Sequence, residues 1–177
     1  MLLQNYQESW ANDFKEIKKV LEEALFKRGV SIIHIGSTSI PGLAAKPVID
    51  IDIVYGPGVD FNEVKDGLER VGYYHNGDQG IKGREVFKRG PLAIKHKLLD
   101  TIRHHLYVCP AYSEEWGRHL LFRNFLVENE RERQQYQEIK RQIAEKAKQD
   151  GKKYAQLKEV EAREFIQSII ERAKRER

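Results

Sequence analysis

A glycine and a serine, a gap of twelve residues, then two aspartates one residue apart form the pattern in this sequence best suited to chemistry: Gly36-Ser37 and Asp50-Ile51-Asp52. A glycine behind a strand lets backbone amides come close to a phosphate, and the neighbouring hydroxyl adds a donor. Two aspartates at i and i+2 of a strand leave the same face with Cα atoms about 6.5–7 Å apart. Both carboxylates can then reach a pair of metal ions about 3.5–4 Å apart. Hard oxygen ligands of this kind suit Mg²⁺ or Mn²⁺ bridging a triphosphate. The alternative is an ordinary solvent-facing edge. It is the poorer reading because both aspartates lie in the most hydrophobic strand of the chain, where an unpaired carboxylate is costly.

The pattern needs elements to hold it. Trp10, Phe14, Ile17, Leu21, Ala24 and Arg28 step by three and four, which predicts a first helix closed by Gly29. Ser31 to Ile35 is a β-branched run read as a strand, and GSTSIPG from Gly36 to Gly42 has loop chemistry with three hydroxyls. Val48 to Tyr55 alternates, with Ile49, Ile51 and Ile53 on one face and Val48, Asp50, Asp52 and Val54 on the other. Phe61 to Val71 reads as a second amphipathic helix and Gly72 to Gly83 as loop. Strands follow at Glu85–Arg89 and His104–Cys109, with a third between them if Ile94–Leu99 is counted. From Ser113, an N-cap with Glu114 and Glu115 in the first turn, the period becomes helical. A charged helix covers about Glu130 to Lys148, and a last helix runs from about Tyr154 to Lys174. The expected class is α+β: a small mixed sheet with an N-terminal helix and C-terminal helices packed on it. It is read as a single domain over 1–177, with 1–112 as its α/β core and 113–177 as its helical part.

Composition narrows the partners. The chain has 177 residues, 33% of them charged, and a net charge of +4, an excess that favours anionic partners but is too small to define a nucleic-acid binder. Basic and acidic residues are interspersed in the helical tail, as on a solvated face. A single cysteine, Cys109, leaves no internal disulfide and no cysteine-based zinc site. The opening MLLQNYQESWANDF lacks a signal-peptide pattern and no run is long enough to span a membrane, so a cytoplasmic location is expected. Leu43 follows Gly42 where a P-loop would carry lysine, and Ser37 and Ser39 have no nucleophile-elbow context.

Gly-Ser followed by Asp-x-Asp is the signature of the polymerase-β-like nucleotidyltransferase superfamily. The longer string HIGSTSIPGLAAKPVIDIDI, His34 to Ile53, resembles the hallmark of the GrpB family within it. The resemblance extends to Tyr6, Trp10 and Phe14, to Arg84–Lys88, to HHLYV at 104–108, to EWGRHLLFRNFL at 115–126, and to Tyr154, Lys158 and Phe165-Ile166. It implies a nucleotidyltransferase-type fold. Enzymes of that superfamily usually carry a third carboxylate on a later strand, which completes the metal site or takes the acceptor's proton. The corresponding strand here, His104–Val108, has no Asp or Glu, and Tyr107 stands where the family tends to have His. His105 is the candidate for the missing position, as base or ligand, with Glu85 and Asp100 as weaker third acids; a lone strand histidine is also often structural. Asn124 stands where the family tends to have Asp.

The cations expected on a triphosphate are Lys46, which leads into the aspartate strand through Pro47, and Arg84, which follows the glycine-rich loop. Tyr154 and Lys158, at i and i+4, share a helix face that either closes over a nucleotide or packs on the core. The resulting expectation is a metal-dependent nucleotidyltransferase acting on a nucleoside triphosphate and a small-molecule acceptor. Asp50, Asp52 and His105 would be catalytic, and Asp50 and Asp52 would hold Mg²⁺ or Mn²⁺. Gly36, Ser37, Thr38, Lys46, Arg84 and Lys158 would bind nucleotide and phosphate. The alternative is a nucleotide- or phosphometabolite-binding protein without turnover.

Overall fold

The computed structural model describes residues 1–25, 29–91 and 93–176. Arg28, expected on the first helix, lies outside them. Helix α1 (Ser9–Leu25) is followed by strand β1 (Val30–Ile35), a 3₁₀ turn at Ser37–Ser39, strand β2 (Ile49–Tyr55) and helix α2 (Phe61–Arg70). Next come β3 (Tyr73–His75), β4 (Glu85–Arg89), the short helix α3 (Lys97–Thr101) and β5 (His104–Pro110). Four helices complete the chain: α4 (Glu114–Glu128), α5 (Glu130–Lys146), α6 (Gly151–Glu161) and α7 (Arg163–Arg175).

The five strands form one mixed sheet in the order β1-β2-β5-β4-β3, with β2 and β5 parallel at its centre and the other pairs antiparallel. The alternation of β2 decides what each face does. Ile49, Ile51 and Ile53 are buried against Trp10, Ile17 and Leu21 of α1 and Val64 and Leu68 of α2, forming the first core. The opposite face carries Asp50 and Asp52. A second core lies among the C-terminal helices, where Leu121, Phe125, Tyr136, Ile143, Ile169 and Ile170 close over Ile40 and Leu43 of the loop after β1. A single buried side chain of Leu or Ile size contributes about 1.5–3 kcal/mol, so each core fixes its elements firmly.

Three expectations need correction. Tyr73–His75, expected in a loop, is an edge strand paired with β4. Ile94–Leu99 is not a strand: Ile94 is exposed, and α3 starts at Lys97 with the His96 side chain accepting from the Leu99 amide. The helix expected over Tyr154–Lys174 is two helices meeting at the fully buried Ala162. Among the described residues no helix is long and apolar enough to cross a membrane.

His34 of β1 ties the first core to the loop. Its ring stacks on Phe14 at 4.8 Å, and its Nε2 lies 3.0 Å from Thr38 Oγ1, which in turn donates to the Val48 carbonyl. Burial, helped by Arg123 and opposed by Asp50, lowers its pKa to about 4. The unfolded chain therefore takes up this proton near pH 6.5 and the folded chain only near 4. Stability is fully present above pH 6.5 and falls by on the order of 2–3 kcal/mol as pH drops through that window. In urea titrations at pH 7 and pH 4.5, His34→Gln should start less stable, for loss of the ring contact, yet lose less on acidification. Parallel acid limbs for parent and variant would refute this.

Candidate functional site

The register of the central strands assembles the site. On one face Asp50 lies between Ile35 of β1 and His105 of β5, and Asp52 lies between Ile33 and Tyr107. His105 Nδ1 is 2.9 Å from Asp50 Oδ1. A carboxylate can only accept, so Nδ1 carries the hydrogen and Nε2 points away from Asp50. Asp52 is completely buried. Its Oδ2 is 2.8 Å from His119 Nδ1 of α4, and the other ring nitrogen of His119 is 3.3 Å from Glu115 Oε1 one turn earlier. An imidazole with a carboxylate at each nitrogen donates from both and is therefore cationic. Burial alone would lower its pKa, but the hydrogen bonds it donates to Asp52 and Glu115 prevail and hold it up at about 9. The same hydrogen bond keeps Glu115 below its ordinary value, while burial pushes Asp52 up against the pull of His119.

Two side-chain polar atoms among the described residues are buried without a hydrogen-bond partner, Asp52 Oδ1 and Arg84 Nε, and both belong to this site. Buried polar groups are nearly always satisfied, and an orphan costs about 1–3 kcal/mol, so two together indicate a ligand or ordered water. Arg84 reaches the site from the turn before β4, with its guanidinium 4.7 Å from the centre of the Tyr107 ring.

The loop after β1 brings the phosphate end. Gly36 has φ +70° and ψ −172°, a conformation open essentially to glycine alone, and a Cβ there would lie 2.3 Å from Asp50 Oδ2. The 3₁₀ turn that follows is held by Ser39 Oγ donating to the Gly36 carbonyl. Ser37 Oγ accepts from Lys140 Nζ at 3.1 Å, and the same ammonium also bonds the Ala44 carbonyl. Thr38, expected among the phosphate contacts, turns its hydroxyl inward to His34 and Val48. Its side chain is thus engaged in holding the loop.

Gly36, Ser37, Thr38, Lys46, Asp50, Arg84, His105 and Lys158 all line one cleft of about 530 Å³ between the sheet face and the C-terminal helices. Lys46 approaches the Tyr154 ring at 5.8 Å, and burial together with nearby Arg103 and Lys158 lowers its pKa. Tyr154 is buried as the packing alternative required, while Lys158 from the same face reaches the cleft. The weaker third acids are elsewhere: Glu85 is 2.6 Å from His75, and Asp100 pairs with Arg89 at 2.8 Å. Asn124 only accepts from its neighbour Arg123.

Sequence reasoning missed Glu115, His119 and Lys140. The i, i+4 spacing of Glu115 and His119 was a usable signal of a shared helix face. Lys140 stands in a buried stripe with Tyr136, Ile143 and Ala144, where a lysine is anomalous.

No group of three or more His, Cys, Asp or Glu side chains among the described residues is arranged to hold a metal. A Mg²⁺-type ion needs less, since it is commonly held by one or two carboxylates with phosphate oxygens and water completing the shell. The chain offers the unpartnered Asp52 Oδ1 and the Asp50 Oδ2 that faces the space Gly36 leaves open. By donor type these oxygens suit such an ion, Asp50 from the cleft wall and Asp52 from beneath it.

The sheet, its paired aspartates and the preceding Gly-Ser turn define a fold of the nucleotidyltransferase type. It superposes on Cid1, solved in complex with its short product ApU, with a TM-score of 0.53 at 11% identity over 80% of this chain and 42% of that one. Residues 1–172 match the family described as GrpB protein, and the chain belongs to that family. The crystal structure of conserved protein GrpB from Enterococcus faecalis matches with a TM-score of 0.76 and 31% identity over 97% of this chain and 96% of that one. UPF0157 protein YqkA of Bacillus subtilis is 32% identical over 96% of this chain, which spans only 46% of that relative. Glutamate-rich protein GrpB of Alkalihalophilus pseudofirmus is 30% identical, with 96% and 94% covered.

Proposed function

We propose that this chain is a metal-dependent nucleotidyltransferase that moves a nucleoside monophosphate from a triphosphate to the hydroxyl of a small acceptor. The observation that carries the reading is the orphaned Asp52 Oδ1, buried beside the wall of a cleft that is lined by Asp50, by Arg84 with its own orphaned Nε, and by a glycine turn that has no room for a side chain. The amide side of Gly36-Ser37, with Lys46 and Lys158, holds the β- and γ-phosphates. Lys140 fixes Ser37 from beneath. The acceptor oxygen forms a bond to the α-phosphorus, the bond from that phosphorus to the bridging oxygen breaks, and pyrophosphate leaves. The acceptor's proton passes to His105 Nε2, whose other nitrogen is held by Asp50. His119, braced by Glu115, orients Asp52 through Oδ2 and leaves Oδ1 for a cation. A divalent cation bound by Asp50 and Asp52 supplies neutralisation of the charge that develops on the phosphates.

A second reading is favoured by one observation: β5 presents His105 and Tyr107 beside the two aspartates, with no acid. It is a nucleotide-binding protein without turnover. One experiment separates the two. Purified protein is incubated with Mg²⁺ or Mn²⁺, each labelled nucleoside triphosphate and a small-metabolite extract, and pyrophosphate is followed. Metal-dependent release that EDTA stops is expected for the transferase. Saturable triphosphate binding with no release in any mixture supports the second reading and ends the first.

A further inference from the structure

A second cavity of about 700 Å³ opens over β4 and β5 beside the cleft already described. The two share four lining residues, Val48, Arg84, His105 and Tyr107. Their common wall is therefore the strip of sheet that carries His105. Both volumes lie in the range of small-ligand sites. Chemically the second cavity is one-sided. Lys88, Arg103 and Arg84 line it, and its acid, Asp100, is already paired with Arg89 and bonded to the His96 amide. Lys88 and Arg103 have no acidic partner within ion-pair distance among the described residues, and Arg84 keeps an unpartnered Nε.

We infer that this second cavity is the acceptor site, and that it takes a small phosphorylated alcohol. Its phosphate would sit on Lys88 and Arg103, and its hydroxyl beside His105 at the shared wall. The inference rests on the transferase reading of the first cleft and adds the class of acceptor. Charge decides that class. A neutral sugar would leave Lys88 and Arg103 without a counter-charge, whereas a phosphate monoester makes charge-assisted bonds to them. Size argues for a small molecule, because a cavity of about 700 Å³ is of the volume that small ligands fill.

The test is equilibrium binding in the presence of a saturating non-hydrolysable triphosphate and Mg²⁺, so that the first cleft is filled. The probes are glycerol 3-phosphate and ribose 5-phosphate, with glycerol and ribose as neutral controls and a short oligoribonucleotide as the macromolecular arm. Amide chemical shifts should move at β4 and β5 with the phosphorylated probes and not with the neutral ones. Lys88→Ala with Arg103→Ala should weaken that binding at least tenfold while the triphosphate Kd changes less than twofold. Equal binding in parent and double variant, or no binding of either phosphate, overturns the acceptor assignment. Preference for the oligoribonucleotide by tenfold or more overturns the small-molecule class. If the phosphorylated probes bind as expected but no triphosphate is ever turned over, the cavity stands as an anion site and the transferase reading is what fails.

Discussion

Asp52→Asn is expected to abolish metal-dependent pyrophosphate release, by about 10²–10³-fold or more, while leaving the Tm at or above that of the parent. The two effects have one origin. Asp52 is fully buried, burial raises its pKa, and one of its oxygens has no partner, so the ionised side chain is an energetic burden on the folded state. The asparagine amide is nearly the same size, carries no charge, and can still accept from His119 through its carbonyl oxygen. His119 keeps Glu115 as its counter-charge at 3.3 Å. What is lost is the second anionic oxygen for a cation, and with it the neutralisation on which phosphoryl-type transfer depends. Asp50→Asn should lose activity similarly with little change in Tm, since Asp50 is only half-buried and bonded to His105. Parallel kinetic and thermal-melt measurements decide the matter. Retained turnover in Asp52→Asn would remove the carboxylate pair from the mechanism; a lost fold would leave the comparison to Asp50→Asn.

That carboxylate pair was legible in the sequence because strand alternation is a local rule. With Ile49, Ile51 and Ile53 committed to the core, Asp50 and Asp52 had to face the other way, and the register sets them beside His105 and Tyr107; the full burial of Asp52 does not follow from alternation and comes from α4 lying over it. The helix opening at Ser113 was equally local, and Ser113 does accept from the Trp116 amide. Features set by distant contacts were invisible. Tyr73–His75 is too short to show alternation and is a strand because its three residues pair with Arg89, Lys88 and Phe87 of β4. The break at Ala162 has no glycine or proline to announce it, and alanine is the strongest helix former; the break falls where Ala162 is buried in the second core. The start of α3 is capped by His96, outside the usual capping residues.

The same distinction explains the site. Glu115 and His119 are recognisable as helix neighbours, yet nothing local tells that their helix docks over β2 and places the imidazole on Asp52. Lys140 shows the cost of reading a charged helix as uniformly solvated. Its ammonium is buried, lies 5.0 Å from the Tyr136 ring centre and holds Ser37 and Ala44, and burial with Lys158 and Arg141 nearby pushes its pKa well down. A lysine so placed stabilises a loop conformation at the expense of its own hydration, which is expected where the loop has a task.

Gly36→Ala is expected to remove both triphosphate binding and several kcal/mol of stability, which separates it from the aspartate variants. Two costs combine. The backbone at φ +70° and ψ −172° is strained for any residue with a Cβ, at about 1–3 kcal/mol. The added methyl would also stand 2.3 Å from Asp50 Oδ2 and 2.9 Å from Asp50 Cβ. The carboxylate can rotate away, but the Asp50 Cβ is fixed to the central strand, so the loop itself must shift and carry Ser37 off Lys140. A combined loss of about 3–5 kcal/mol would lower the Tm by roughly 10 °C for a chain of this size. A double-mutant cycle with Asp50→Ala apportions the loss. The second substitution removes the carboxylate clash but keeps the Cβ contact and the strained backbone, so Gly36→Ala should cost somewhat less stability in the Asp50→Ala background than in the parent. Equal costs in both backgrounds would mean that the carboxylate adds nothing and that the strained backbone and the Asp50 Cβ contact carry the whole cost. A Gly36→Ala protein with parental Tm and parental triphosphate affinity would show that the turn does not cradle phosphate against Asp50.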